Sequence, residues 1–279
     1  MNSKRIEQTF EEQKMLDELY ERKSKIDYNF SYASSAHETS LPQLGTIEAD
    51  AAGRFGRWKK ERFRAEKLAF LCSQLPSVQD IIDVGGGNLL AANYFSELNF
   101  NVDVSDFGTS PYLTSEALSS SGIRSFFDGD FNTFSFENKY DLVWVSHVLE
   151  HQQNVKSFLD KITDVVKEDG YIAIAVPPRK PFIVSGHVNL FNPGLLVYRL
   201  VLSGIDCSKA KVFQYDGNIC VLVKYRRIDL PQLNYDIGDI EKLSHLFPNK
   251  PEDGFNGDFM HVNLSTDEIK LIYQTTSLG

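Results

Sequence analysis

The chain has 279 residues, 42% of them hydrophobic and 24% charged, enough for one large domain or one domain with extensions. Its 38 acids against 29 bases give a formal charge of -9, which disfavours a nucleic-acid partner, because such partners are held largely by phosphate neutralisation. The N-terminus lacks the apolar core of a signal peptide, no run approaches the ~20 apolar residues of a membrane span, and the scattered Cys72, Cys207 and Cys220 form no CxxC pair, so a cytoplasmic protein with neither disulfide framework nor zinc knuckle is expected.

Arg5 to Lys25 reads as a helix, with Ile6, Phe10, Leu16, Leu19 and Tyr20 as an imperfect apolar stripe. A Ser-rich connection from Asn29 to Pro42 precedes a second helix, predicted from Arg57 to Leu75 and stopped by Pro76. Residues 1–76 are thus read as a helical extension or lid, with "DYNFSYASSAHE" as a flap and Arg54 or Arg57 as a contact to a ligand carboxylate. From Asp80, short β-branched runs alternate with helical segments, the pattern of a parallel sheet with crossover helices. The strands expected are Asp80 to Val84, Asn101 to Ser105, Ile123 to Phe127, Tyr140 to Ser146 and Tyr171 to Val176.

A helix from Asn154 to Lys167 carries Phe158, Leu159, Ile162, Val165 and Val166 on one side, with Gly170 as its left-handed stop. Pro177-Pro178 then breaks the rhythm. A helix from Pro193 to Ser203 leads into the strands KVFQY and ICVLVKY, joined at "DGN" in a hairpin. Residues 77–227 form the predicted core, and the turn-rich residues 228–279 are assigned to substrate or oligomer contacts.

The ligand signal is "DVGGGNLL", Asp83 to Leu90, between a strand and a helix. Counted from Gly85, the dinucleotide pattern GxGxxG is met twice and then fails at Leu90, and no Walker lysine follows. A phosphate is therefore disfavoured. A ligand at the carboxyl end of the first strand is still expected, against the plainer reading of a tight turn. At the end of the second strand, Asp106 is placed to accept both hydroxyls of a ribose, whereas Asp103 points elsewhere by strand alternation. After the third strand, Asp130-Phe131 either reads an adenine or makes a turn with a buried aromatic.

Together, "IIDVGGGN", "VDVSDF", "GDFNTF", "YDLVWVSHVLEH" and "VVKEDGYIAIAVPP" resemble class I S-adenosylmethionine-dependent methyltransferases over roughly residues 78–225. The resemblance implies an α/β fold: a doubly wound, Rossmann-like, mostly parallel seven-stranded sheet with an antiparallel last strand. It places the cofactor S-adenosylmethionine on Gly85, Gly86 and Gly87, its ribose on Asp106 beside Phe107 and its adenine on Asp130 and Phe131, with Asp83 orienting either the methionine amino group or the turn; Ser146 and, from the extension, Arg57 are further expected cofactor contacts. The third glycine often seen in the motif is Leu89 here. A ligand without phosphates needs no lysine, and its carboxylate suits the amides of a helix N-terminus.

Methyl transfer requires alignment of acceptor, methyl and sulfur, and an alcohol acceptor also needs a base. Two histidines are candidates. His147 follows the fourth strand, and His187 lies in "SGHVNLFNP", among Ser185, Asn189 and Asn192, a cluster suited to a polyol. His187 is preferred as the base and His147 as a residue shared by cofactor and acceptor, while His151 is read as fixing the following helix. The segment from "GHVNLFNPGLLVYRLVLSGIDCS" resembles bacterial polysaccharide-associated methyltransferases, which implies O-methylation of a sugar or nucleotide-linked sugar. No carboxylate pair follows the fifth strand, so no metal is expected. The alternatives are N- or O-methylation of another metabolite, RNA or protein methylation, and a non-catalytic cofactor-binding protein. A homo-oligomer is left open.

Overall fold

Strands form where the sequence turns apolar and β-branched, and the two central ones show why. In β1 (Asp80–Val84) the residues Ile81 to Val84 are all buried, and in β4 (Tyr140–Ser146) so are Leu142 to Val145. Such runs, without alternation, mark parallel strands covered on both faces. The computed structural model describes residues 64–108, 110–180, 182–257 and 261–273. The predicted helix at 5–25, the flap, Arg54 and Arg57 lie outside them.

β1 pairs in parallel with β2 (Asn101–Asp106) and β4, β2 with β3 (Ser125–Asp128), and β4 with β5 (Val166–Val176). β7 (Asn218–Lys224) runs antiparallel to β5, and β6 (Lys211–Tyr215) antiparallel to β7 through the predicted hairpin, whose turn places Asp216 and Gly217 at positive φ. A two-residue β8 (His261–Val262) adds to β6, giving the order β3-β2-β1-β4-β5-β7-β6-β8. The sheet therefore has eight strands rather than the expected seven. The extra one comes from the C-terminal extension, which covers the open edge of β6.

The helices α1 (Glu66–Ser73), α2 (Leu90–Glu97), α3 (Ser115–Ser120), α4 (Val155–Val165), α5 (Pro193–Leu202), α6 (Asp239–Leu243) and α7 (Thr266–Tyr273) fall on the two faces. On one face, Phe158, Leu159 and Ile162 of α4 and Leu196, Val197 and Leu200 of α5 pack on Val143, Ile174 and Val221. On the other, Leu68 of α1, Phe95 of α2 and Ile272 of α7 pack around Leu142 and Trp144, with the Phe95 and Trp144 rings edge to face at 5.5 Å.

Two local expectations are corrected. The described helix starts at Glu66, because Ala65 is left-handed (φ 59), so no helix runs unbroken from 57 to 75. The left-handed residue after α4 is Asp169 (φ 61), not Gly170. A Cβ on Gly170 would lie 2.9 Å from the Lys167 carbonyl and 3.0 Å from that of Asp141, so glycine is needed there for close backbone approach.

Candidate active site

All five parallel strands end on one edge, which gathers the glycine turn, Asp106, Asp128, His147 and Pro177. The turn after β1 is bonded to β2: the Gly85 amide donates to the Ser105 carbonyl at 2.7 Å. The three glycines serve different purposes. A Cβ on Gly85 (φ 76) would lie 2.3 Å from Val148 Cγ2, and one on Gly86 would lie 2.4 Å from Val104 Cγ1. These two allow the turn to pack against β2 and the segment after β4. At Gly87 (φ 51) the nearest atom among the described residues is the Gly85 carbonyl at 3.9 Å, so of the three glycines this one faces open space among those residues. The turn ends at Leu89, fully buried yet left-handed (φ 61), where the motif often has glycine. Burial of its side chain offsets a backbone cost of about 1–2 kcal/mol.

Asp106 ends β2 as expected. Its carboxylate accepts the Gly87 amide at 2.5 Å and the Phe107 amide at 2.6 Å. Phe107 is exposed beside it. Asp103 instead is buried, bonded through both oxygens to Arg124 (2.9 and 2.7 Å) and by the Tyr140 hydroxyl at 2.9 Å, so its role is structural. Asp83 sits buried under the turn, and its Oδ2 has no hydrogen-bond partner among the described residues. Burial, and then the Asp106 charge, push its pKa up to about 7, with the Ala92 amide opposing.

Of the predicted adenine pair, Asp130 stays at the exposed edge, where its Oδ1 accepts the Asn132 amide at 3.0 Å. Phe131 does not: it is buried, with its ring 5.5 Å from both Phe136 and Phe158. The neighbouring residue of Asp106, Phe107, is by contrast an exposed aromatic side chain. Ser146 lies half-buried at the end of β4.

His147 follows at positive φ (57) and is held from two sides. The Asn218 amide nitrogen donates to the Tyr215 and Asp216 carbonyls, which leaves Asn218 Oδ1 to accept from His147 Nε2 at 2.8 Å. His147 Nδ1 lies 3.3 Å from Glu150 Oε1. The ring is a strut between β7 and the segment after β4. His187 lines a cavity of about 340 Å³ with Pro177, Lys180, Ile183, Val188 and Asn189. Burial lowers its pKa from the ordinary histidine value; the Glu150 charge opposes that shift, and neighbouring cationic groups add to it.

The expected polar cluster around His187 is largely committed to the fold. The Asn189 side chain donates to the Gln152 carbonyl at 2.6 Å. Asn192 caps α5, its Oδ1 accepting the Leu195 amide at 2.7 Å, which gives the side chain a role in the fold. Ser185 lies in the exposed turn. His151 does not fix the following helix, whose cap is Asn154; its Nδ1 meets the Gly186 carbonyl at 2.9 Å.

Sequence reasoning missed Glu150. It is wholly buried beside His147, His151 and His187, and neither of its oxygens has a hydrogen-bond partner among the described residues. A signal was available: a lone acid in the apolar stretch VLEH, three residues after a histidine.

The chain matches a family described as a methyltransferase domain over residues 55–197, more than half its length, and it belongs to that family. Among solved structures, the 1,6-didemethyltoxoflavin-N1-methyltransferase of Burkholderia thailandensis, with its substrate and S-adenosylhomocysteine bound, is 19% identical and shares the fold. That alignment covers 68% of this chain and 94% of that one at a TM-score of 0.50. An O-methyltransferase family protein from the same organism is 12% identical at a TM-score of 0.48, with 66% of this chain covered; the chain spans 61% of that protein's length. The glycopeptide N-methyltransferase MtfA, complexed with S-adenosylmethionine, is 13% identical over 58% of this chain and 93% of that one, at a TM-score of 0.45. No curated protein matches the chain. Among the described residues, no helix is long and apolar enough to cross a membrane.

Proposed function

We propose that this protein transfers the methyl group of S-adenosylmethionine to a hydroxyl of a small molecule. The observation that carries this reading is the juxtaposition, on one sheet edge, of an open glycine amide turn at Gly87, a carboxylate at Asp106 and a histidine-lined cavity. The residues fit that cofactor. Gly87 leaves room where a Cβ would stand, and Asp83 holds an unpartnered carboxylate oxygen beneath the turn, suited to an ammonium group. Asp106 takes the ribose, with Phe107 and Asp130 beside the adenine and Ser146 at the methionine end. The cofactor supplies an electrophilic methyl on a sulfonium.

On the acceptor side, His187 offers the imidazole. A ring with a lowered pKa keeps a free lone pair at neutral pH. His147 positions the segment after β4 rather than moving protons. The acceptor proposed from sequence is a sugar or nucleotide-linked sugar. The cavity wall adds a second feature: Pro177, Pro178, Phe182, Ile183, Val184 and Leu190 are apolar, and Ile183 is almost fully exposed. That wall suits a hydroxyl carried on a molecule with an apolar part, such as an aryl glycoside or a phenol.

The test is transfer of labelled methyl from S-adenosylmethionine to nucleotide-sugars, free sugars, aryl glycosides, phenols and amines. Label on amines alone overturns the hydroxyl acceptor. Cofactor binding without transfer to any class marks a binding protein instead.

A further inference from the structure

Three of the chain's 6 histidines, His147, His151 and His187, surround one buried acid, Glu150. A carboxylate out of water, without a hydrogen-bond donor, is costly and calls for a compensating group. His147 Nδ1 at 3.3 Å is close but makes no hydrogen bond to it. On its other side, His151 Nε2 lies 3.9 Å from Glu150 Oε1. The ligand atoms of Glu150, His151 and His187 all lie within 4.8 Å of one another.

We propose that Glu150, His151 and His187 form a binding site for a divalent first-row transition-metal ion. Two imidazoles and one carboxylate are the donor set of catalytic zinc sites and of non-haem iron sites, both of which keep positions open. The surroundings suit it. His151 Nδ1 meets the Gly186 carbonyl, which orients Nε2 toward Glu150, the arrangement that metal-bound histidines usually show. The Glu150 carbonyl accepts the Val188 and Asn189 amides at 2.9 and 3.1 Å, tying the loop that carries His187 to the same residue. Metal bonds of about 2.0–2.1 Å would draw the three side chains inward by roughly 1 Å. The H-x-x-E-H spacing of His147 to His151 is not a helical metalloprotease motif here, because His147 follows β4 at positive φ, outside any helix, and its Nε2 is spent on Asn218.

The site deepens the proposed function and rests on it for its purpose. The lone pair of His187 that would take a proton takes a cation instead. Because His187 lines the acceptor cavity, the ion reaches an acceptor hydroxyl through an open position. It lowers that hydroxyl's pKa, and the proton passes to solvent. No carboxylate pair follows the fifth strand; this donor set comes instead from the turn after β4, which carries Glu150 and His151, and the loop after β5, which carries His187.

The experiment uses tag-free, full-length protein stripped with a chelator and titrated with Co2+ and Zn2+. Expected are about one equivalent bound per chain, a visible Co2+ absorption band, and affinity lowered roughly tenfold or more by His151→Gln and by His187→Gln. S-adenosylmethionine binding by calorimetry stays unchanged in His151→Gln, whose exposed ring can be replaced without disturbing the core. No band and no stoichiometric uptake overturn the site, as does uptake indifferent to both variants. Full methyl transfer by the stripped protein overturns its catalytic use while leaving the site standing. Metal uptake without transfer to any acceptor keeps the site and sinks the proposed function.

Discussion

The Gly87 amide donates to Asp106 Oδ2 at 2.5 Å, joining the glycine turn to the end of β2 across 19 residues. Asp106 Oδ1 accepts the Phe107 amide as well. A carboxylate has about four lone-pair sites. Two therefore hold the turn in shape, and two are left for a diol.

Asp106→Ala is expected to weaken S-adenosylmethionine binding tenfold or more, since hydrogen bonds to charged groups contribute ~1.5–3 kcal/mol each. Asp103→Ala should do the opposite, sparing affinity and lowering stability by about 1–3 kcal/mol, a figure moderated by the exposure of Arg124. Calorimetry and urea denaturation on both variants separate the roles. Loss of cofactor affinity in Asp103→Ala alone would reverse the assignment.

The glycines predict a second contrast. Gly85→Ala drives a Cβ into Val148 and should cost stability chiefly, with partial recovery in the Gly85→Ala/Val148→Ala double variant. Gly87→Ala meets no clash, so its cost in stability is the left-handed backbone alone, about 1–2 kcal/mol. Its cofactor affinity should nonetheless fall. Thermal melts paired with calorimetry decide, and a Gly87→Ala protein that binds normally would remove the turn from the cofactor site.

Asp83 predicts a pH dependence. Its folded pKa, about 7, lies above the unfolded value near ~3.9. The folded state then binds more protons than the unfolded one between these values, so this residue's contribution to stability falls as pH rises from about 4 to about 7. Asp83→Asn should flatten that slope in urea midpoints and raise stability at pH above 7. If Asp83 meets an ammonium group, cofactor affinity in the native protein also rises over the same window, and loses that rise in Asp83→Asn. Identical slopes in both proteins would count against the buried charge.

His187→Gln is expected to lower turnover by about 10²–10⁴ with cofactor affinity intact, whether the ring takes a proton or a metal. His147→Gln should act differently: it breaks the bond to Asn218 and lowers stability, and its turnover recovers at lower temperature. Equal, temperature-independent losses in both variants would mean that His147 touches the reaction.

Much of the core was legible in the sequence because its signals are local. β-branched runs fixed β1, β2 and β4, Asp216-Gly217 fixed the hairpin turn, and Asp106 followed from strand alternation. These depend on backbone preference and a period of two, which neighbours in sequence carry. The tertiary structure decided what distant segments do to one another. Phe131 went to the core because Phe136 and Phe158 meet it there, and Asn192 became a cap because α5 starts beside it. Gly85 proved necessary through Val148, 63 positions away by number, and Glu150 is a buried acid without a hydrogen-bond partner for its side chain because the segment after β4 and the loop of His187, bonded to its carbonyl, pack around it. Desolvation and close contact are set by whatever the fold brings from elsewhere, so no single stretch of sequence encodes them.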